Sequence, residues 1–339
     1  MKTEFLDPTP SAIAHAVALL AHGEPVALPT ETVYGLAADA TNPDAMLKIF
    51  EAKERPLFDP LIVHLPDLSW LDRITQNRDP LVEQLTEKLW PGPLTFVLQK
   101  HEIIPDLATS GLQTVAVRMS AHPVFNEVCI KLGKPLAAPS ANRFGRISPT
   151  AAEHVWAELQ GRIPLILDGG PTSHGIESTI VAVENGRIRI LRAGPITPEQ
   201  LSEFAEVITQ ASGDQPEAPG QLKSHYAPRT PLKILDFQIS SFELTGKQVG
   251  LLAWQSPTHP DRFSAVEILS PSGDLREAAA TLFAKMRHLD EAHLDLILAE
   301  PVPETGLGIA MMDRLRKAAG RTNSFSMTHG RNCISTMSQ

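Results

Sequence analysis

Cysteine is nearly missing from this 339-residue chain. Its two cysteines, Cys129 and Cys333, match no metal-ligand spacing and cannot build a disulfide framework, so a stapled secreted scaffold and a zinc site are both excluded and a reducing cytoplasm fits best. Aromatic residues are sparse at 5%, but the hydrophobic fraction of 42% and charged fraction of 20% are those of an ordinary globular chain, which argues against disorder. No apolar run is long enough to span a bilayer. The opening residues carry acids at Glu4 and Asp7 with no charged-then-apolar pattern of a signal peptide behind them, so a soluble protein without a membrane partner is expected. Positive charge is also short, with a net charge of -9. A surface that adheres to nucleic acid over its whole extent is thereby excluded, because such binding rests on neutralising phosphates; a local basic groove stays open. There is no G-x-x-x-x-G-K-[ST] phosphate loop, no H-E-x-x-H helix and no G-x-S-x-G elbow. Gly306 and Gly308 form only part of a dinucleotide fingerprint, since Met311 occupies the third small position.

What is present is length enough for two cores and an alternation of helix and strand signals. Thr9 and Pro10 predict a helix start, Ile13, Val17 and Leu20 share one face, and Gly23 ends it. A strand follows from Pro25 to Leu28, then a helical stretch with Leu47 and Phe50, then the apolar run Leu61 to Leu65. Further strands are expected at Leu94–Leu98, Thr114–Arg118, Pro135–Ala138, Pro164–Leu167, Thr179–Val183 and Ile188–Leu191, with helices around Val124–Leu132 and Ala151–Leu159. The pattern predicts a mixed α/β sheet with flanking helices. Residues 1–211 form the first domain on this reading, and the Pro-, Gly-, Ser- and Gln-rich stretch 212–231 is a linker. Strands at Leu232–Leu235, Val249–Ala253 and Leu294–Leu298, with a helix from Asp274 to about Leu289, then predict a small α/β domain over 232–320. Residues 321–339 are expected to be a mobile tail.

Five polar motifs stand at the ends of apolar strands, where α/β proteins tend to place ligands. Pro29-Thr30-Glu31-Thr32-Val33-Tyr34-Gly35-Leu36 packs hydroxyls, a carboxylate and a phenol together; a turn whose Thr residues cap a helix would look the same. Lys53-Glu54-Arg55-Pro56, followed by Asp59-Pro60 and His64, sets two cations one residue apart. They converge on a polyphosphate if the chain is extended and diverge on a helix, where they would only favour its C-terminus. Arg118 ends an apolar strand and needs either solvent or an anion such as a small substrate's carboxylate. Ala138-Pro139-Ser140-Ala141-Asn142-Arg143-Phe144-Gly145 leads to Ser148, and offers nucleotide-reading hydroxyls and amides or an ordinary turn. Asp168-Gly169-Gly170-Pro171, Gly175-Ile176-Glu177-Ser178-Thr179 and Arg192-Ala193-Gly194-Pro195 read as a ligand-approaching backbone with a further cation, or as hairpin turns.

In this order the motifs resemble the YrdC-type threonylcarbamoyl-adenylate synthase family, in its long form with an added C-terminal domain. The resemblance spans residues 12 to 195 and is reinforced by Ser224-His225-Tyr226-Ala227-Pro228, Gly306-Leu307-Gly308-Ile309-Ala310 and Asp313-Arg314-Leu315. It implies a YrdC-like twisted mixed sheet plus a smaller Rossmann-like domain. It also implies synthesis of threonylcarbamoyl-AMP from L-threonine, bicarbonate or CO2, and ATP, with Mg2+ accompanying the nucleotide and a tRNA threonylcarbamoyl transferase downstream. Carried over, Thr32, His64, Arg118, Ala138 and Ser178 hold threonine; Arg55, Asp59, Thr114, Ser140, Ser148, Arg192 and Tyr226 hold ATP. Lys53 and Asn142 match K-x-R and S-x-N positions expected to face phosphate, and Lys53 with Arg55 is the expected catalytic pair. Asp59 departs from the family's usual Asn and could recruit magnesium or bind a ribose hydroxyl. The competing expectation is an RNA-binding module without nucleotide turnover, or weak RNA contact beside the enzyme.

Overall fold

Capping chemistry sets the first helix where the sequence places it: the Thr9 side chain accepts from the Ala12 amide and Pro10 occupies the first turn. The computed structural model describes residues 1–76, 79–208, 218–220, 225–235 and 246–320. In chain order the strands of its first sheet are β1 (Glu4–Leu6), β2 (Val26–Leu28), β3 (Gly35–Asp39), β4 (Ile62–His64), β5 (Leu94–Gln99), β6 (Thr114–Arg118), β7 (Leu136–Ala137), β8 (Leu165–Leu167), β9 (Thr179–Glu184), β10 (Arg187–Arg192) and β11 (Val207–Ile208). The helices around them are α1 (Pro10–Ala21), α2 (Pro43–Lys53), α3 (Ser69–Ile74), α4 (Pro80–Leu89), α5 (Asp106–Thr109), α6 (Pro123–Leu132), α7 (Ala152–Leu159) and α8 (Pro198–Ser202).

Across this sheet the order is β1-β8-β2-β3-β7-β4-β6-β5-β9-β10-β11, with parallel and antiparallel neighbours mixed. The expected mixed α/β sheet is therefore present. Parallel pairing of β4 with β6 sets His64 beside Arg118, and antiparallel pairing of β4 with β7 sets His64 beside Leu136. An isolated bridge joins Gly35 to Ser140, which draws the first and fourth sequence motifs together. Neither juxtaposition is visible in local pattern, because strand order is a long-range property.

A second sheet, ordered β12-β15-β13-β14, is parallel throughout and consists of β12 (Leu232–Ile234), β13 (Val249–Ala253), β14 (Ala265–Ile268) and β15 (Leu296–Ala299). Two helices cover it, α9 (Leu275–Glu291), capped by the Asp274 side chain, and α10 (Leu307–Ala319). Both glycines of the partial fingerprint belong to the start of α10. A Cβ on Gly308 would come 1.8 Å from the Pro303 carbonyl oxygen, so only glycine lets the chain turn so tightly there.

The hydrophobic cluster around α9 and α10 does not stop at the second sheet. Phe283, Met286, Met311 and Leu315 pack with Val33, Ile147, Ile176 and Tyr226, which belong to the first sheet's loops and the segment between the sheets. Gly175, in the left-handed region at φ +69°, lies so close to α9 that a Cβ would meet the Ala279 carbonyl at 2.4 Å. Among the described residues no helix is long and apolar enough to cross a membrane.

Most expected strands are present within a residue or two. The short strands β1, β3, β11 and β14 and the helices α3, α4, α5, α8 and α10 are not among the elements expected from local pattern. Residues 212–217 and 221–224, half of the 212–231 stretch, and the whole of 321–339 lie outside the described residues.

Candidate active site

The loop after β2 is organised by its own threonines. The Thr30 hydroxyl donates to the Val33 carbonyl at 2.6 Å and accepts from the Thr32 and Val33 amides, a local side-chain turn that brings Glu31 and Thr32 inward. Tyr34 ties the same segment to the 168–170 turn, its hydroxyl donating to the Gly170 carbonyl at 2.8 Å and accepting from the Gly169 amide. The helix-capping alternative for this motif is thereby replaced by a turn that shapes a cavity.

That cavity is lined from the first sheet by Thr30, Thr32, Arg55, Ile62, His64, Arg118, Ala138 and Ser140, among others. Glu177, Ser178 and Arg192 close another side, and Gly220, His225 and Tyr226 cover it. Ile62 and His64 lie two residues apart on β4 and share a face, so the site sits over the sheet as well as at strand ends.

Three guanidinium groups reach it, each with different support. Arg118 ends β6 and is 3% exposed; it donates to Glu31 at 2.6 Å, to the Thr32 hydroxyl at 3.0 Å and to the Gly92 carbonyl at 3.2 Å. Burial pushes the Glu31 carboxyl up, but the Arg118 charge and hydrogen bonds from Ser120 and Arg118 outweigh it and hold the group near a pKa of about 2. Arg55 donates to the Asp59 and Pro60 carbonyls and lies 2.9 Å from the Asp59 carboxylate. Arg192 ends β10 and is held by the Ser178 carbonyl and hydroxyl and by the Pro219 carbonyl; among the described residues it has no carboxylate in ion-pair contact. Its charge is the least neutralised of the three.

Polar atoms without partners also gather here. Among the described residues the Nδ1 atoms of His64 and His225 and the Tyr226 hydroxyl are buried and make no hydrogen bond, although all three residues line the cavity. Groups of this kind are costly unless a ligand satisfies them. Burial, then the Arg118 charge, drive the His64 pKa down to about 3, so its imidazole is neutral and able to accept or donate.

Of the residues expected to hold threonine, Thr32, His64, Arg118, Ala138 and Ser178 all line this cavity. Of those expected to hold ATP, Arg55, Ser140, Arg192 and Tyr226 line it, whereas Asp59, Thr114, Asn142 and Ser148 are not on its wall. Lys53 differs most from expectation. It is the last residue of α2, Glu54 turns the chain in the left-handed region, and the Lys53 amine donates to the Ser140 and Asn142 carbonyls, each at 2.5 Å. Burial and the neighbouring Arg55 charge drive its pKa well down. Lys53 thus braces the Ser140–Asn142 turn instead of facing a phosphate. The Asn142 amide likewise bonds inward, to the Arg143 and Arg146 carbonyls, and Ser148 donates to Glu177.

The Asp59 carboxylate faces Arg55, 2.9 Å away. Among the described residues no cluster of three or more His, Cys, Asp or Glu could hold a metal. Residues that escaped sequence reading include Glu177 and His225, which line the cavity, Glu31, which pairs with Arg118 behind it, and Arg314, which reaches Glu177 from α10. Only the three-dimensional pairing identifies them.

A mixed α/β fold whose cavity gathers three arginines, threonine hydroxyls and unpaired ring and phenol groups defines a small-molecule enzyme that handles anionic substrates. The family model described as "Telomere recombination" (Sua5/YciO/YrdC) matches residues 18–194, and the one described as "Threonylcarbamoyl-AMP synthase, C-terminal domain" matches residues 196–320. The chain belongs to the threonylcarbamoyl-AMP synthase family, in the form that has both domains. It is 41% identical to a threonylcarbamoyl-AMP synthase of Bacillus subtilis over 94% of this chain and 96% of that protein. It is 38% identical to one of Pyrococcus abyssi over 90% of this chain and 93% of that protein. The crystal structure of P. abyssi Sua5 complexed with L-threonine superposes with a TM-score of 0.84 at 37% identity, covering 94% of this chain and 97% of that one.

Proposed function

We propose that this enzyme makes L-threonylcarbamoyl-AMP and pyrophosphate from L-threonine, bicarbonate or CO2, and ATP. The observation that carries the reading is the meeting of Arg55, Arg118 and Arg192 in one buried cavity with Thr32, His64 and Ser178. Arg118, already shared with the Thr32 hydroxyl, is the carboxylate fork for threonine. Arg55 and Arg192 neutralise the nucleotide's phosphates, and the Tyr226 hydroxyl gains its missing partner when ATP enters.

The threonine amine, as the free base, adds to the carbon of CO2 and gives up one proton to form a carbamate; from bicarbonate the same carbamate forms with loss of water. A carbamate oxygen then attacks the α-phosphorus of ATP, a new P–O bond forms, the bond to the β-phosphate bridge breaks, and pyrophosphate leaves with the electron pair. Positioning and charge neutralisation are sufficient for such a transfer, so no protein nucleophile is required. The nucleotide would carry magnesium, whose charge would add to that of Arg55 and Arg192 at the phosphates. Exclusion of water protects the carbamate, and the segment bearing Gly220, His225 and Tyr226 is the closing element over residues 1–211, anchored by the small domain of residues 232–320. The product feeds a tRNA threonylcarbamoyl transferase in the cytoplasm.

The RNA-binding alternative loses ground because the cavity arginines are 3 to 8% exposed, out of reach of a polymer backbone. Incubating the protein with ATP, magnesium, bicarbonate and threonine should release pyrophosphate only when threonine is present. Threonine-independent release would contradict the assignment.

A further inference from the structure

We propose that Arg314, on α10 of the small domain, is a positioning residue for the nucleotide: it engages Glu177 in the cavity wall and so leaves Arg192 free to meet phosphate. Arg314 is completely buried, at 0% exposure. Its Nε donates to Glu177 at 3.0 Å, and its Nη1 donates to Asp313 at 3.0 Å and to the carbonyl of Ala193, the residue after Arg192, at 2.8 Å. The guanidinium carbon also lies 5.5 Å from the centre of the Tyr226 ring. One side chain of the second domain therefore fixes three parts of the first domain's cavity.

Charge balance explains why this matters. Glu177 is buried and lines the cavity, and it faces Arg314 from α10, Arg192 from β10, the Ser148 hydroxyl and the Tyr226 phenol, with Asp313 beyond Arg314. A buried carboxylate without a cation is strongly unfavourable, so if Arg314 were absent Glu177 would turn to the other cation that acts on it, Arg192. Arg192 would then be neutralised where ATP needs it. Burial pushes the Glu177 carboxyl up, while Arg314 first and Arg192 second pull it down, leaving it below the ordinary carboxylate range.

This inference rests on the reading that the cavity takes ATP, and it is tested by binding so that it can be judged apart from turnover. ATP affinity is measured by calorimetry, without threonine, for the full-length wild type, Arg314→Met, Glu177→Gln and the double variant, from pH 5.5 to 8. Arg314→Met should bind ATP at least about tenfold more weakly at pH 8. Its affinity should recover towards pH 5.5, because with Arg314 gone burial is opposed by one cation, Arg192, instead of two, and a carboxyl pushed up in this way takes up a proton and releases Arg192. The double variant should regain most of the lost affinity and show no such pH dependence. Wild-type affinity in Arg314→Met at pH 8, or a double variant no better than the single one, overturns the proposal. If Arg314→Met does not fold, the double variant is compared with Glu177→Gln: affinities within about threefold support the proposal and a gap above about tenfold overturns it. A wild type that binds ATP but releases no threonine-dependent pyrophosphate sinks the proposed reaction alone, and one that binds no ATP sinks both.

Discussion

Replacing Arg118 separates its two duties, holding Glu31 and holding a substrate carboxylate. Arg118→Lys keeps the charge but loses the fork, so the separate nitrogens that serve Thr32 at 3.0 Å and Glu31 at 2.6 Å are replaced by one compact ammonium without a planar face for a substrate carboxylate. Losing one hydrogen bond to a charged group is worth about 1.5–3 kcal/mol, so the threonine Michaelis constant should rise by roughly 10- to 150-fold while that of ATP changes little. Arg118→Met goes further and strands Glu31, at about 3–5 kcal/mol of stability. Urea unfolding at neutral pH measures that loss, and adding Glu31→Gln should return much of it. Pyrophosphate release titrated against each substrate measures the first effect. A threonine constant within about threefold of wild type in Arg118→Lys would refute the assignment of Arg118, and a Met variant as stable as wild type would refute the ion-pair argument.

Arg55→Ala should lose stability by about 3–5 kcal/mol as well as ATP affinity, because it leaves Asp59 unpaired. Adding Asp59→Asn should restore much of the stability without restoring the ATP Michaelis constant, and a double variant with wild-type kinetics would count against Arg55 as a phosphate contact. His64 gives a pH signature. Its folded pKa of about 3 lies below the ordinary 6.5, so the unfolded chain takes up a proton that the folded chain refuses, and stability falls as pH drops from about 6.5 towards 3. The slope from this group is at most about 1.4 kcal/mol per pH unit, and urea titrations should show a shallower decline for His64→Gln than for wild type. Tyr226→Phe should melt close to wild type, because its hydroxyl has no partner among the described residues, yet bind ATP more weakly. Unchanged ATP affinity would remove Tyr226 from the nucleotide site.

Much of the fold was legible because its signals are local. Thr9 caps α1 and Asp274 caps α9 through bonds to amides two or three residues on, and Thr114–Arg118 and Val249–Ala253 are strands at the bounds their apolar runs suggest. The five residues carried over for threonine needed more than pattern. Each is a common residue type in a common turn, and only their order along the chain, matched to a family, singled them out.

The amino-acid sequence by itself determined the elements, the absence of disulfide and phosphate-loop chemistry, and the set of polar residues from which a site could be built. Tertiary structure decided which of them meet. Glu31 with Arg118, Glu177 with Arg314 and Lys53 with the Ser140 and Asn142 carbonyls join residues 87 to 137 positions apart, and the order of the strands and the docking of α10 set those pairings. A side chain's neighbours along the chain govern its dihedral preferences, but the charge that faces it in a dry interior comes from whichever distant segment the packing brings there.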